Sequence, residues 1–218
     1  MASSLFLKQV ELGPMANYVY FVGDAKAREV AVVDPAWDVD RILQLAQEHD
    51  VTIAKILITH SHFDHINGVE DLLSRTKAKV YIHKAEAEFM KAVWPDLVKV
   101  ESGDTTNVGE VEITFIHTPG HTPGSQCFLV QNHLVSGDTL FIGSCGRCDL
   151  PGSSAEDMYD SLTQKLMKLD DRTLLFPGHN YAHKPSSTMG DEKRSNPYLQ
   201  FHSLQDFLRR GMGRVKLS

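Results

Sequence analysis

Four side chains that commonly bind metal ions lie within six positions of the chain. They are His60, His62, Asp64 and His65 of the segment His-Ser-His-Phe-Asp-His. Imidazole nitrogen suits zinc and iron, and a carboxylate often completes such sites. His60 and His62 are two residues apart and can point the same way from an extended segment. Surface histidines, with Asp64 capping a helix, would be the simpler interpretation, but they need no such clustering. The segment therefore predicts a metal site.

Three further coordinating residues each follow a predicted strand at a turn that contains glycine. His121 lies in Thr-Pro-Gly-His-Thr-Pro-Gly, Asp138 in Ser-Gly-Asp-Thr, and His179 in Phe-Pro-Gly-His-Asn-Tyr. Each of them alone would more simply be structural. Together with the first cluster they predict one metal site, built from five histidines and two aspartates. Strand ends are suited to this task because they hold side chains rigidly at the edge of a sheet.

The elements that must position these residues can be predicted from hydrophobic periodicity. Residues 51–59 form a nearly continuous apolar run, as in a strand buried on both faces, and it ends directly before His60. The other predicted strands are residues 5–11, 18–22, 29–34, 79–83, 111–117, 126–130, 133–136 and 173–176, and the predicted helices are residues 38–49, 68–76, 84–92, 155–169 and 204–210. Two strand-rich halves with helices suggest an α/β fold, in which two sheets pack face to face with helices outside.

Composition limits the function classes. The 218 residues are 42% hydrophobic and 23% charged, and the net charge is −6, so a basic face for nucleic acid is not expected. No apolar run is long enough to cross a bilayer, and residues 1–17 lack the features of a signal peptide. We expect one domain over residues 1–218, a cytoplasmic protein with a small-molecule substrate, and no nucleic-acid or membrane partner. The oligomeric state is left open.

Three cysteines do not indicate a disulfide framework. Cys145 and Cys148 have the spacing of a redox or zinc C-x-x-C motif, but they lie in a Gly-rich loop late in the chain rather than at the start of a helix. Two ordinary thiols are the favoured interpretation, and Cys127 is likewise given no catalytic role. Trp37 and Trp94 are interpreted as packing residues.

The H-x-H-x-D-H segment, followed by a lone His, Asp and His at strand ends, resembles the metallo-β-lactamase superfamily. The resemblance runs from the first strands to about Leu199. It implies a four-layer αββα sandwich of two mixed β-sheets flanked by helices, with a metal site at one edge. In that family the first metal would be bound by His60, His62 and His121, the second by Asp64, His65 and His179, and Asp138 would bridge the two.

Within the superfamily, the chain is most similar to the branch of glyoxalase II and the persulfide dioxygenases. Ser-Gly-Asp-Thr-Leu-Phe at residues 136–141, Cys-Gly-Arg at 145–147 and Gly-His-Asn-Tyr at 178–181 carry this likeness. By resemblance, Arg147 and Tyr181 would contact a glutathione-like substrate, and Asp64 would steer the nucleophile or its proton. The chain has no room for the C-terminal helical domain that completes glutathione binding in glyoxalase II, so the thiol carrier is left open.

Several activities are compatible with these residues. The favoured hypothesis is a metal-dependent hydrolase of a thioester, such as an acyl-glutathione or related acyl thiol, with two divalent ions of zinc, or else iron or manganese. The alternative is a persulfide dioxygenase acting on glutathione persulfide with a single iron, held by two histidines and one carboxylate. A lactonase is a further alternative, because lactonases keep all seven ligands. A binding protein with a retired site would be expected to have broken ligands, and none is broken here.

Overall fold

The computed structural model describes residues 4–211, which contain two six-stranded β-sheets. The first sheet holds the N-terminal strands in chain order, and its last four strands are parallel to one another. These strands are β1 (Leu5–Leu12), β2 (Asn17–Asp24), β3 (Glu29–Val33), β4 (Thr52–Leu57), β5 (Lys79–His83) and β6 (Leu97–Val100). The parallel connections carry helices α1 (Val39–Glu48), α2 (Phe63–Ile66), α3 (Val69–Arg75) and α4 (Lys84–Phe89). Parallel neighbours require such crossovers.

The second sheet is mixed, with the order β14-β13-β10-β9-β8-β7. Its strands are β7 (Thr105–Val108), β8 (Val111–His117), β9 (Gln126–Val130), β10 (His133–Gly137), β13 (Leu174–Pro177) and β14 (Ser187–Thr188), and a small hairpin is formed by β11 (Leu140–Phe141) and β12 (Ser144–Cys145). Only β10 and β13 pair in parallel within this sheet's described strands. Helix α5 (Ala155–Asp160), which is placed in the connection between β10 and β13, permits that pairing.

Residues of strand β2 show how the layers are stacked. Val19 and Phe21 pack against the core that includes the α1 helix, whereas Tyr18, Tyr20 and Val22 pack between the two sheets. Alternation along a strand sends successive side chains to opposite faces of the sheet. A third cluster packs the second sheet against α5, with Leu134 and Leu175 on the sheet and Met158 and Leu162 on the helical segment. The order is helix, sheet, sheet, helix, which confirms the predicted αββα sandwich.

The segment predicted as one helix over residues 155–169 is only partly an α-helix. After α5 the chain continues in a wide π turn over Ser161–Lys165 and a tight 3₁₀ turn over Leu166–Lys168. Met158, Leu162 and Leu166 are fully buried at a spacing of four residues. An α-helix would rotate such a series away from the core, and a wider turn keeps it facing the sheet.

The sequence prediction also missed several short elements. Strands β6 and β7 have four residues each and were not predicted, and neither were helices α2 and α6 (Met189–Ser195). The predicted C-terminal helix is present as α7 (Leu204–Asp206), continued by a π turn over Phe207–Gly211. No helix within residues 4–211 is both long and apolar enough to cross a membrane.

Candidate metal centre

The ends of strands from both sheets meet at one edge of the sandwich. The backbone N–H of Gln126, at the start of β9, donates to the carbonyl of Thr59, just after β4, at 2.9 Å. Gly137 at the end of β10 lies so close to Thr59 that a Cβ atom there would come within 2.6 Å of its side chain. Its φ of +49° is also in the region that favours glycine. The two sheets therefore bring the loops that follow their strands into contact.

Three histidines form the first of two ligand groups at this edge. One ring nitrogen from each of His60, His62 and His121 lies within 4.8 Å of the other two. The rings are nearly perpendicular, with centroids 4.6–4.8 Å apart. The Nε2 atoms of His60 and His121 are buried and have no hydrogen-bond partner among the described residues. Buried nitrogen without a partner is costly unless it binds something else.

The second group combines one carboxylate with two histidines. His65 Nε2 lies 3.1 Å from His179 Nε2, and both nitrogens lie 3.4 Å from Asp64 Oδ2. Two imidazole lone pairs cannot face each other at this distance without a proton or a cation between them. The group is therefore arranged to hold positive charge.

Asp138 lies between the two groups and touches both. Its Oδ1 is 3.5 Å from His65 Nε2. Its Oδ2 is 3.5 Å from His121 Nε2 and 3.4 Å from His179 Nε2. One carboxylate thus contacts both groups, the first through Oδ2 and the second through both of its oxygens.

Hydrogen bonds behind the rings set the tautomers of four histidines. Nδ1 of His121 and of His179 can only donate to their partners, which are the backbone carbonyls of Arg147 at 2.8 Å and Met15 at 2.9 Å. The tautomers of His65 and His60 depend on Asp34. Its Oδ2 lies 3.0 Å from His65 Nδ1 and also accepts from the Thr59 hydroxyl. Because that hydroxyl donates to Asp34, it accepts from His60 Nδ1, 3.0 Å away. In each ring, when it is neutral, Nε2 is left with a lone pair aimed into the centre. Metal-binding histidines are normally oriented in this way.

The electrostatic setting differs sharply between the two groups. Burial lowers the pKa of His62 to about 4, helped by the neighbouring His121, and lowers the pKa of His60 well below its usual value. Burial opposes the charged form of His65 as well, but the carboxylates of Asp138, Asp34 and Asp64 outweigh it and raise its pKa to about 9. Asp138 has a pKa well below its usual value, because the histidines around it overcome the effect of its burial.

This donor set fits divalent transition metals. Unprotonated imidazoles with carboxylates, converging from rigid strand ends and oriented by hydrogen bonds from behind, are what zinc and iron sites in proteins use. The seven residues chosen from the sequence are all brought together, and no eighth His, Cys, Asp or Glu within residues 4–211 joins them except Asp34, which groups with His60 and His65. The hydrogen bonds of Asp34 to Thr59 and His65 give it a supporting position.

Several supporting residues were missed by the sequence analysis. Asn17 donates to Asp64 Oδ2 at 2.9 Å and accepts from the indole N–H of Trp37 at 2.8 Å, so Trp37 does more than pack. Asp34, at the end of β3, could have been found by the same rule that singled out Asp138, since it is a carboxylate that follows a strand. Asn17 carries no comparable signal, because it begins a strand rather than following one.

The two residues predicted to contact substrate lie in different surroundings. Tyr181 is 63% exposed and its ring stacks on His179 with the centroids 4.6 Å apart. Burial and the nearby carboxylates of Asp138 and Asp64 raise its pKa to about 12, so it is a neutral phenol. The Arg147 guanidinium forms two hydrogen bonds with Asp149, at 2.6 and 2.8 Å, and its backbone carbonyl holds His121.

The cysteines are held as thiols. All three are free, and burial raises the pKa of Cys127 to about 11 and that of Cys148 to about 12. Burial also raises the pKa of Cys145 well above its usual value. A thiol with a raised pKa is a poor nucleophile and a poor metal ligand at neutral pH.

Comparison with known proteins gives one family. The model of the metallo-beta-lactamase superfamily matches residues 12–179. The probable polyketide biosynthesis zinc-dependent hydrolase BaeB of Bacillus velezensis is 36% identical over 193 residues, covering 88% of this chain and 86% of that protein. The persulfide dioxygenase ETHE1 of Bos taurus is 30% identical over 211 residues, covering 94% of this chain and 80% of that protein. The crystal structure of ETHE1 from Myxococcus xanthus has a TM-score of 0.89 and 33% identity, covering 98% of this chain and 92% of that chain.

Proposed function

The chain belongs to the metallo-β-lactamase superfamily, and we propose that within it the protein is a two-metal hydrolase of thioesters, such as an acyl-glutathione or a related acyl thiol. The observation that carries this proposal is the position of Asp138. Its Oδ2 lies 3.5 Å from His121 of the first group and 3.4 Å from His179 of the second, while its Oδ1 lies 3.5 Å from His65 of the second. A bridging carboxylate is useful to an enzyme that holds two cations side by side.

In this proposal the first ion would be held by His60, His62 and His121, the second by Asp64, His65 and His179, and Asp138 would serve both. When bound, two divalent metals, with zinc favoured, supply Lewis acidity to a thioester carbonyl and lower the pKa of a water towards about 7. The name of the related BaeB, a probable zinc-dependent hydrolase, supports this choice of metal and reaction class.

Asp64 is the side chain proposed to orient the attacking water or take up its proton. Asn17 holds its Oδ2 oxygen at 2.9 Å, and Trp37 holds Asn17 in turn, so the carboxylate has a fixed direction. Its side chain retains 14% exposure, enough to face incoming substrate. Fixed orientation of such a group is worth several kcal/mol when it places reacting atoms correctly, up to roughly 7–11 in the best cases.

Exposed apolar side chains next to the centre support a substrate with an apolar part. Phe63, which directly follows His62, is 71% exposed, and Met15, whose carbonyl holds His179, is 47% exposed. Tyr181, whose ring stacks on His179, is a third exposed side chain with an apolar surface in this part of the chain. An acyl group or the methylene part of a thiol carrier would gain from contact with them.

The second candidate is a persulfide dioxygenase with one iron, favoured by the similarity to ETHE1 over nearly the whole chain. Two of the three histidines of the first group, with Asp138, would form the two-histidine, one-carboxylate set that such iron sites use. The two candidates differ in whether Asp64, His65 and His179 are needed for metal binding.

The test is a matched activity screen on protein reconstituted separately with zinc and with ferrous iron. We expect thiol release from acyl thioesters by the zinc form, and no oxygen uptake with glutathione persulfide by the iron form. Oxygen uptake that requires iron, with no thioester cleavage under either metal, would replace the hydrolase with the dioxygenase.

A further inference from the structure

Glu86 is a buried carboxylate that the proposed reaction does not use. It lies on α4 and has no exposed surface. An ionised carboxylate is rarely buried completely unless its oxygens are matched by donors. The partners of Glu86 therefore indicate what this side chain is for.

Those partners belong to the two loops that carry the first ligand group. The Oε1 atom accepts from the backbone N–H of Ser61 at 2.7 Å. The Oε2 atom accepts from the Thr122 hydroxyl at 2.8 Å and from the backbone N–H of Gly124 at 2.8 Å. Ser61 lies between His60 and His62, and Thr122 directly follows His121.

The two loops come from different sheets, which makes the bridge more than local. The His60–His62 segment follows β4 of the first sheet, whereas the loop with His121 follows β8 of the second. Gly124 packs so closely on α4 that a Cβ atom there would lie 2.2 Å from the backbone nitrogen of Glu86. The Glu86 carboxylate thus connects, through hydrogen bonds, two loops from different sheets that together carry His60, His62 and His121.

Charge adds to the geometry. The group of His60, His62 and His121 contains no carboxylate of its own. A negative charge fixed behind the loops favours a cation in front of them. Asp34 has the corresponding position behind His65 in the second group.

From these contacts we infer that Glu86 is a positioning residue for the first metal position, acting through the loops that carry His60, His62 and His121. The inference rests on the proposed metal centre and extends it to a residue outside the ligand set. Loss of this carboxylate weakens metal binding at the first position, beyond any general loss of stability.

Glu86→Gln is the sharpest variant, because it keeps the size of the side chain. An amide presents one acceptor and one donor group, so either Ser61 or the Thr122–Gly124 side then faces an N–H group instead of an oxygen. Glu192→Gln is the matched control. Glu192 is also buried and accepts from the Gly143 N–H at 2.8 Å, but Gly143 and its other hydrogen-bond partner, Asn196, lie outside the loops of the first group.

The experiment titrates Co²⁺ into metal-free protein and follows its visible absorption, in a His179→Ala background that removes a ligand of the second group. We expect Glu86→Gln to weaken cobalt binding about 10- to 100-fold and to change the absorption spectrum, as loss of outer partners of metal ligands commonly does. Glu192→Gln should lower the melting temperature of the metal-free protein by a similar amount yet leave cobalt binding unchanged.

Thr122→Val removes one donor to Glu86, together with the contact of that hydroxyl to Ser125 Oγ at 2.7 Å, and decides the matter if Glu86→Gln does not fold. It should weaken cobalt binding several-fold. Unchanged cobalt affinity in the foldable Glu86 or Thr122 variant overturns the inference while leaving the hydrolase proposal intact. Failure of the His179→Ala parent to bind cobalt at all would overturn both, and normal metal binding without thioester cleavage would overturn the hydrolase alone.

Discussion

The two halves of the metal centre use the same kind of ligand in opposite electrostatic settings. In the first half, buried imidazoles face one another, and the pKa of His62 falls to about 4. In the second half, His65 has Asp34 behind it and Asp64 and Asp138 in front, and its pKa rises to about 9. Histidine can thus be prepared either as a neutral ligand or as a site for positive charge, according to what lies around it.

This difference has a consequence for metal uptake. A cation that enters the first half at neutral pH meets the unprotonated nitrogens of His60 and His62, whereas one that enters the second half must displace the proton of His65. The second half compensates with the negative charge of Asp64, which the first half lacks. The two positions should therefore fill under different conditions, although they share Asp138.

Asp138→Asn is expected to have the largest effect, because this carboxylate contacts both halves of the metal centre. Asn keeps the size but loses the charge, so two cations would repel one another with less compensation. We expect about one retained metal per chain and a loss of thioesterase activity of at least about a hundredfold. Metal content and thiol release measure both effects. The control is Asp50→Asn, which changes an exposed carboxylate in a surface ion pair with Arg28 and should behave like the wild type. A fully active Asp138→Asn enzyme with two ions would rule out a bridging role.

His62→Ala tests the first half alone. Metal that binds only the folded chain stabilises it by mass action, by about 2.7 kcal/mol when free metal exceeds the dissociation constant a hundredfold. Chelation should lower the melting temperature of the wild type, and most of that difference should be absent in His62→Ala. Thermal unfolding with and without chelator is the measurement, with the surface substitution His202→Ala as control. If His62→Ala responded to chelation as fully as the wild type, the first half would not be a metal position.

The opposite pKa shifts predict opposite pH dependence of the two positions. The pKa of His65 is raised to about 9, so below that pH a proton competes with metal in the second half, and affinity there should rise with pH until about 9. With the pKa of His62 at about 4 and that of His60 well below its usual value, these two ligands are unprotonated above about pH 5, so affinity in the first half should depend less on pH. Calorimetric titration in buffers of different ionisation enthalpy counts the released protons. Equal proton release for both ions would contradict the contrast.

Trp37→Phe is expected to have the smallest effect of these substitutions, and it acts on the second half alone. It removes the indole N–H that holds Asn17, and so loosens Asp64 in the second half without touching a ligand. Loss of one hydrogen bond of about 1 kcal/mol corresponds to roughly a fivefold fall in kcat. Metal content should stay as in the wild type, and Trp94→Phe should change neither quantity. A fall in bound metal, rather than in kcat, would show that the indole supports the centre as a whole.

The sequence indicated the proposed metal ligands more fully than the residues that support them. His60, His62, Asp64 and His65 are adjacent in the chain, so their clustering is visible without a structure. The residues behind them are not, because Asn17 and Trp37 reach Asp64 only when distant strands meet. The same holds for Glu86, which lies in a predicted helix and looks like any surface acid until α4 packs against the loop at Gly124.

Two strand-rich halves with helices suggested two packed sheets, and the resemblance to the superfamily specified the four-layer sandwich, while details set by packing were not predictable. Four-residue strands such as β6 carry too short a pattern to be distinguished from loop. The wide turn within residues 161–165 allows Met158, Leu162 and Leu166 to be buried in one line against the neighbouring sheet. It is therefore set by tertiary packing and not by local helix propensity.

The most direct test of the two-metal account is the metal content of protein purified without added metal, for the wild type and for His65→Ala and His179→Ala. The account predicts about two ions per chain in the wild type and about one in each variant, since both substitutions remove a ligand of the second half only. One iron per wild-type chain, unchanged by either substitution, would contradict it and establish the single-iron alternative.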